Sequence, residues 1–165
     1  MRTKLLIMTI AAAMLSLWAP ARADEFTKLT YFTFSQPVQL PGVTLQPGKY
    51  RFELADPVES RRVIRVSNED GTKHLAMLQT IPNEMRDAAK DPVVMFGETP
   101  AGETLAVKAW TYPGERTGYE FIYPHDEAIK LAKRYHTKVL SKSGDKIERV
   151  DEAGTSSPSD ANHDH

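Results

Sequence analysis

Residues 109–136 carry the sequence AWTYPGERTGYEFIYPHDEAIKLAKRYH, and this stretch decides the fold. It contains two runs of aromatic and β-branched residues, 109–112 and 119–123, on either side of a segment rich in turn-forming residues. At Pro124 the apolar spacing changes from the alternation of a strand to the period of a helix. The stretch therefore predicts two β-strands followed by one α-helix.

The helix is predicted to cover about residues 124–136. Proline suits the first helical position, and Asp126 and Glu127 place negative charge in the first turn, where the helix dipole favours it. The apolar residues that share one face are Ala128, Leu131, Ala132 and Tyr135. A helix of this length is marginal in water, so we expect it to dock on the sheet.

Before this stretch the chain is typical of β-structure. Seven segments have strand-like composition: 28–34, 49–54, 62–66, 73–81, 93–96, 105–112 and 119–123. In the clearest alternation Tyr50, Phe52 and Leu54 share one face, which we expect to be buried, while the opposite face meets water. Residues 38–45 are predicted as short extended pieces and 82–92 as a loop.

These segments predict a mainly β fold, an antiparallel β-sandwich or partly open barrel of about seven or eight strands with one C-terminal α-helix. The turn signal of residues 68–71, which ends in Asp-Gly, predicts a tight hairpin. The segments between the strands lack helical patterns of about ten residues, which argues against a parallel α/β sheet.

Residues 1–23 have the pattern of a secretory signal peptide. Arg2 and Lys4 precede an uncharged apolar run over 5–18, and Ala21 and Ala23 occupy positions −3 and −1 of a cleavage site. The run is shorter than the roughly 20 apolar residues that span a bilayer. We therefore expect cleavage after Ala23, an exported protein that is periplasmic or secreted, and no transmembrane segment in the mature chain.

The mature chain is predicted to form one β-rich domain over 24–141, which includes the helix, and a disordered acidic tail over 142–165. The tail is rich in Gly, Ser, Asp, Glu and Pro and carries three basic against six acidic residues. Loss of the leader removes three of the 21 Lys and Arg, which leaves 18 against 22 Asp and Glu and a net charge of −4. Because no strongly basic face is evident, nucleic acid is not an expected partner.

The chain contains no cysteine. Disulfides, thiol nucleophiles and thiolate metal sites are therefore excluded, and the domain must be held together by burial alone. No sequence motif indicates a cofactor. The terminal His163 and His165, with the carboxylate between them, are chemically suitable ligands for a divalent transition metal, although a tail offers no surrounding groups to orient the rings.

No catalytic residue is predicted, because the candidate acid–base groups have a simpler interpretation. His125, Asp126 and Glu127 lie together, but they are also what the first turn of a helix favours. The sequence lacks the G-x-S-x-G and H-E-x-x-H motifs. We accordingly expect a protein that is not an enzyme.

The aromatic residues of the opening stretch are candidates for a ligand platform. Trp110, Tyr112, Tyr119 and Tyr123 could present flat apolar faces to a sugar or a peptide. Trp110 and Tyr112 share a strand face with Lys108, so we expect them to be partly exposed. The alternative is that these side chains pack in the core under the helix.

Three arginines are not counted among the candidate site residues. Arg61, Arg62 and Arg86 are predicted to be solvated strand and loop charges and not an anion site.

Five segments in a fixed order carry a resemblance. They are LTYFTF at 29–34, LPGV at 40–43, PGKYRF at 47–52, AWTYPG at 109–114 and EFIYP at 120–124. This succession resembles a group of small exported bacterial proteins of unknown function, which implies a single domain and supplies no functional residue. The PGKYRF segment is also similar to the strand opening of prealbumin-like and carboxypeptidase-regulatory-like β modules.

These features together predict a non-enzymatic binding or structural module of the cell envelope, with a protein or small-molecule partner there. One alternative is a small-ligand carrier that uses a pocket of the β domain. A second alternative is a hydrolase whose site has no familiar motif.

Overall fold

The computed structural model describes residues 27–97 and 103–159. Within these ranges the chain forms thirteen strands and one helix. In chain order they are β1 (Thr30–Phe34), β2 (Val38–Leu40), β3 (Val43–Leu45), β4 (Gly48–Asp56), β5 (Ser60–Asn68), β6 (His74–Glu84), β7 (Val93–Phe96), β8 (Leu105–Thr111), β9 (Thr117–Phe121), β10 (Tyr123–Pro124), α1 (His125–Tyr135), β11 (Val139–Ser143), β12 (Lys146–Val150) and β13 (Ser156–Pro158).

The strands form a larger and a smaller sheet. The larger sheet has the order β1-β4-β5-β6-β9-β8-β2-β3, and β7 pairs with β8 beside this path. The smaller sheet has the order β10-β11-β12-β13. Two short pairs, β2 with β8 and β10 with β11, are parallel, and the others are antiparallel. The predicted mainly β fold with one C-terminal helix is confirmed, and the structure adds more, shorter strands than the sequence indicated.

The larger sheet folds over its own core. Thr30 on β1 and Trp110 on β8 lie far apart along the strand order, yet the Trp110 indole Nε1 donates a hydrogen bond to Thr30 Oγ1 at 2.9 Å. Phe34 on β1 and Phe96 on β7 also meet, with ring centroids 6.4 Å apart. The largest fully buried side chains are Trp110, Phe52, Phe121, Leu40, Leu54 and Ile64. The two ends of the sheet therefore enclose one apolar interior.

Strand β4 shows where alternation predicts burial and where it does not. Phe52 and Leu54 are buried, as predicted. The prediction that the opposite face meets water is wrong at Glu53, which is only 6% exposed. The reason is pairing: Arg51 Nη2 lies 2.7 Å from Glu53 Oε2, and Arg65 Nη1 lies 3.5 Å from Glu53 Oε1. Paired cations of this kind allow a carboxylate to leave bulk water.

The predicted hairpin over 68–71 is also present. Gly71 has φ of 75°, a backbone conformation that glycine adopts readily, and Asn68 N–H donates to Lys73 O at 3.1 Å. Thr72 donates to Asp70 Oδ1 from both its hydroxyl and its N–H, and these hydrogen bonds lower the pKa of Asp70. The turn thus joins β5 to β6 as local sequence indicated.

The helix α1 agrees with the prediction to within one residue at each end. Its four buried residues are Ala128, Leu131, Ala132 and Tyr135, as the apolar spacing indicated. The helix packs against β10, β11 and β12 of the smaller sheet, and the Tyr135 hydroxyl donates to Thr104 O at 2.8 Å. His136 ends it in the left-handed conformation, with φ of 50°. In the portion of the chain that the structure describes, no helix is long and apolar enough to cross a membrane.

The predicted disordered tail is wrong for residues 142–159. Strands β11, β12 and β13 form successive antiparallel pairs there, and Val150 of β12 is fully buried. The composition is polar, but Val150 joins the main core that includes Leu131 of the helix, and Ile147 packs on a smaller cluster of Ile81, Ile122 and Leu140. Residues 160–165, with the candidate metal ligands His163 and His165, lie outside the described residues, as does the predicted signal peptide with Ala21 and Ala23.

Candidate functional site

The four aromatic candidates do not form an exposed platform. Trp110 is 0% exposed, Tyr119 and Tyr123 are buried, and Tyr112 is half-buried. The expected partial exposure of Trp110 is therefore wrong, because its ring stacks on Tyr119 with centroids 5.1 Å apart and its indole N–H bonds across the core.

The Tyr123 hydroxyl is likewise engaged in the interior. It donates a hydrogen bond to Val107 O at 2.8 Å. Burial raises the pKa of this phenol well above its ordinary value, and the nearby charge of Glu127 adds to the effect. Tyr123 is therefore a neutral structural donor at any ordinary pH.

His125 lies in a small polar cluster with two residues that follow the helix. Its Nδ1 is 3.3 Å from Ser141 Oγ and 3.8 Å from Glu148 Oε1. A serine–histidine–acid relay needs the serine and the acid on opposite ring nitrogens. Here both neighbours face the same nitrogen, and Ser141 is fully buried. The cluster therefore joins the start of α1 to β11 and β12. The sequence did not predict it, because Ser141 lies 16 positions from His125 and Glu148 lies further still.

Another buried ion pair connects the two sheets. Arg149 on β12 donates from Nη1 and Nη2 to the two carboxylate oxygens of Glu120 on β9, each at 2.8 Å. Planar two-point contact of this kind is the strongest geometry for an arginine and a carboxylate. Glu120 is therefore a structural group and not an available acid or base.

Metal binding has no basis in the described part of the chain, since no three His, Asp or Glu side chains there are grouped closely enough to hold an ion. A cavity of about 30 Å³ lies under the helix, bordered by Val107, Phe121, Leu131 and Tyr135. That volume is near the size of one water, whereas pockets for small ligands have volumes of about 300–1,000 Å³. It is too small to hold a small organic ligand.

An open groove of about 420 Å³ is bordered by Met77, Ile122 and Lys142. A second open groove, of about 440 Å³ and with more charged residues in its lining, lies on the larger sheet. We call it the β5–β9 groove. Its lining includes Lys28, Arg61, Arg62, Glu115, Arg116 and Tyr119, together with Thr80, Pro82 and Thr117. It is a predominantly basic surface on a chain whose overall balance is acidic.

The groove forms where strand β6 changes partners. The pairing of β6 with β5 ends at Gln79 opposite Val63, and its pairing with β9 begins at Thr80 opposite Phe121. Past this point the backbones of β5 and β6 no longer pair, although Thr80 Oγ1 still donates to Arg62 O at 3.0 Å, and Pro82 has no N–H to donate. The strand nevertheless continues to Glu84, so the loop predicted over 82–92 begins three residues later than expected.

The floor of the groove is held by an ion pair between Lys28 and Glu115. Burial by itself would lower the pKa of Lys28, but its contacts with Glu115 and Tyr119 outweigh burial and raise it. The Lys28 ammonium also lies 5.5 Å from the Tyr119 ring centroid. Lys28 is therefore charged and its charge is balanced by Glu115, which leaves the arginines as the uncompensated charge of the groove.

The sequence predicted that two of those arginines are exposed, but it did not predict the groove that they line. Arg61 and Arg62 are exposed, as expected of strand charges. Arg116, which sequence reasoning did not single out, comes from the turn before β9 and joins them across the groove. A separation of more than 50 residues left no local signal for this juxtaposition.

No protein-family model matches this sequence, and searches among curated proteins and solved structures likewise find no match. The resemblance to small exported bacterial proteins thus stays a prediction.

Proposed function

We propose that this protein is exported and acts as a non-enzymatic binding or structural module of the cell envelope, making its contacts through its surface. The observation that carries the proposal is the filled interior. Trp110, Phe52 and Phe121 occupy the space between the two ends of the larger sheet, and each is at most 1% exposed. A domain with this interior offers partners its surface and the β5–β9 groove.

The polar groups that could perform chemistry are engaged in structural contacts. Glu120 is held by Arg149, Glu53 by Arg51 and Arg65. His125 faces a buried serine, in a geometry that does not form a proton relay. These contacts support a binding module over the alternative of a hydrolase.

A small-ligand carrier is the second candidate function, and the volumes of the cavities indicate where its ligand would bind. The cavity under the helix is too small for an organic ligand, whereas the β5–β9 groove is large enough. A carrier that encloses an apolar molecule in the interior of the domain is therefore not favoured. A ligand of this protein should be polar and should bind at the groove.

Native mass spectrometry of protein purified from its own periplasm tests the proposal. We expect the mature chain together with a non-covalently bound partner, either a protein or a polar small molecule. The control is the chain without residues 1–23, produced in the cytoplasm, which should lack that added mass. Recovery of the mature chain alone in repeated low-salt preparations would contradict a binding role, and an apolar ligand would favour the carrier with an interior site.

A further inference from the structure

We infer that the β5–β9 groove binds a phosphate-bearing ligand, such as a phosphate ester or a phospholipid headgroup. The inference rests on the proposed function, because it names the ligand chemistry of the binding module. It starts from three arginines, Arg61, Arg62 and Arg116, that are among the residues lining one groove of about 440 Å³.

The charge of the groove is strongly positive. Its lining carries Lys28 and the three arginines against the single carboxylate of Glu115. A further acid, Glu84, contacts the lining, where it accepts a hydrogen bond from Thr117 Oγ1 at 2.8 Å. Counting both acids, two positive charges remain uncompensated. A doubly charged anion matches this balance, and a phosphate monoester carries about −1.5 to −2 at pH 7.

The guanidinium groups are available to a ligand. Arg62 and Arg116 have no hydrogen-bond or ion-pair partner for their side chains among residues 27–97 and 103–159. Arg61 donates from Nε to Pro57 O at 3.3 Å, a contact that does not use its terminal nitrogens. Elsewhere in the described chain some exposed cations are ion-paired and others are not, so the arginines are distinguished by lining one groove together.

Arginine is well suited to this task. The planar guanidinium presents paired N–H donors that fit the oxygens of a phosphate, and such charge-assisted hydrogen bonds are about twice as strong as neutral ones. Like charges placed together in one groove repel each other when no anion is bound, so an anion relieves the repulsion. The Lys28–Glu115 pair meanwhile fixes the floor and places Tyr119 beside it.

The shape of the groove admits two sources of phosphate. Its volume lies within the range of small-ligand sites, so a soluble phosphate ester fits. Because the groove is open to the surface, the headgroup of a larger molecule can also enter. Both sources present phosphate oxygens to the arginines, as a doubly charged monoester in a soluble ester and as a singly charged diester in a lipid such as phosphatidylglycerol. A binding experiment can separate them.

Isothermal titration calorimetry with inorganic pyrophosphate and with glycerol phosphate tests the soluble source. The mature protein is compared with an R62Q/R116Q variant, and the matched control is K133Q/K146Q, which loses the same charge at exposed positions on α1 and β12. We expect binding that weakens with added salt, a loss of affinity of about tenfold or more in the groove variant, and less than about threefold in the control.

Sedimentation with vesicles tests the lipid source. Vesicles that contain phosphatidylglycerol are compared with vesicles of phosphatidylcholine alone, using the same three proteins. Arginine-dependent binding to the anionic vesicles alone identifies a headgroup site, and binding of the soluble phosphates alone identifies a phosphate ester site. If neither probe binds, or if R62Q/R116Q binds as the unaltered protein does, the inference is overturned. The proposed function would survive that result if the native complex still carried a partner.

Discussion

At the scale of single residues, the ion pair between Glu120 and Arg149 joins the two sheets through two hydrogen bonds. Glu120 lies among apolar side chains on β9, and its two oxygens are met by one guanidinium from the other sheet. A carboxylate this buried keeps its charge only when a cation and directed hydrogen bonds replace water. The pair therefore fixes how the smaller sheet sits on the larger one.

Removing the guanidinium should cost far more stability than removing an exposed one. We expect R149M to lower the free energy of unfolding by about 3 kcal/mol, because the substitution leaves the Glu120 carboxylate buried without its partner. Urea denaturation followed by Trp110 fluorescence measures the change, since Trp110 is fully buried in the native state.

Two further variants separate pairing from packing. In the E120M/R149M double variant no charge is left uncompensated, so most of the loss should be recovered. R134M provides the matched control, because Arg134 and Glu103 form an exposed pair at 3.4 Å that should contribute about 0–1 kcal/mol. Equal losses in R149M and R134M would show that the buried pair has no special role.

At the scale of elements, the sequence predicted correctly the helix and the turn whose formation depends on neighbouring residues. The helix over 125–135 was found because Pro124, the acidic first turn and the apolar stripe all lie within one segment. The hairpin over 68–71 was found for the same reason. The strands β11 to β13 were missed because their stability comes from Val150 and Arg149 contacting other elements. Their polar composition alone suggests disorder.

For the candidate site, too, the sequence predicted local features and missed those that depend on distant contacts. Trp110 and its aromatic neighbours were identified as important, but sequence could not decide between exposure and burial. That outcome depends on β1 folding over β8, a contact between distant segments. The groove could not be predicted either, since Arg61 and Arg116 become neighbours only when β6 exchanges β5 for β9.

Truncation tests the structural role of β12 and β13. Deletion of residues 144–165 should abolish cooperative folding or lower Tm by more than about 10 °C, because it removes Val150 from the core and Arg149 from Glu120. Circular dichroism during heating measures the effect. The control deletes only residues 160–165 and keeps every strand described. A disordered tail over 142–165 would instead give the same Tm for both deletions.

At the scale of the whole molecule, the folded domain begins close to the predicted cleavage point. The first described strand, β1, begins at Thr30, only a few residues after the predicted cleavage point. Lys28, just before it, reaches Glu115 at the floor of the groove. The folded domain therefore includes the chain from Thr27, whose carbonyl accepts a hydrogen bond from Leu54 N–H at 2.7 Å.

Processing of the leader gives a direct measurement at this scale. We expect the exported protein to begin at Asp24, because Ala21 and Ala23 satisfy the small-residue requirement of the cleavage site. Intact-mass spectrometry of the envelope fraction identifies the first residue. An A23R substitution should block cleavage and accumulate the precursor, whereas A12S within the apolar run should be processed. An exported chain that still starts at Met1 would contradict the prediction.

The hydrogen bond between Trp110 and Thr30 also has a kinetic consequence. It joins residues 80 positions apart in the chain, and the core cannot be enclosed until β8 has been made. Contacts of such long sequence separation slow folding relative to helical domains of similar length. During synthesis the first strand must wait for the second half of the domain, so the core of the nascent chain stays open until β8 is available to pack against β1.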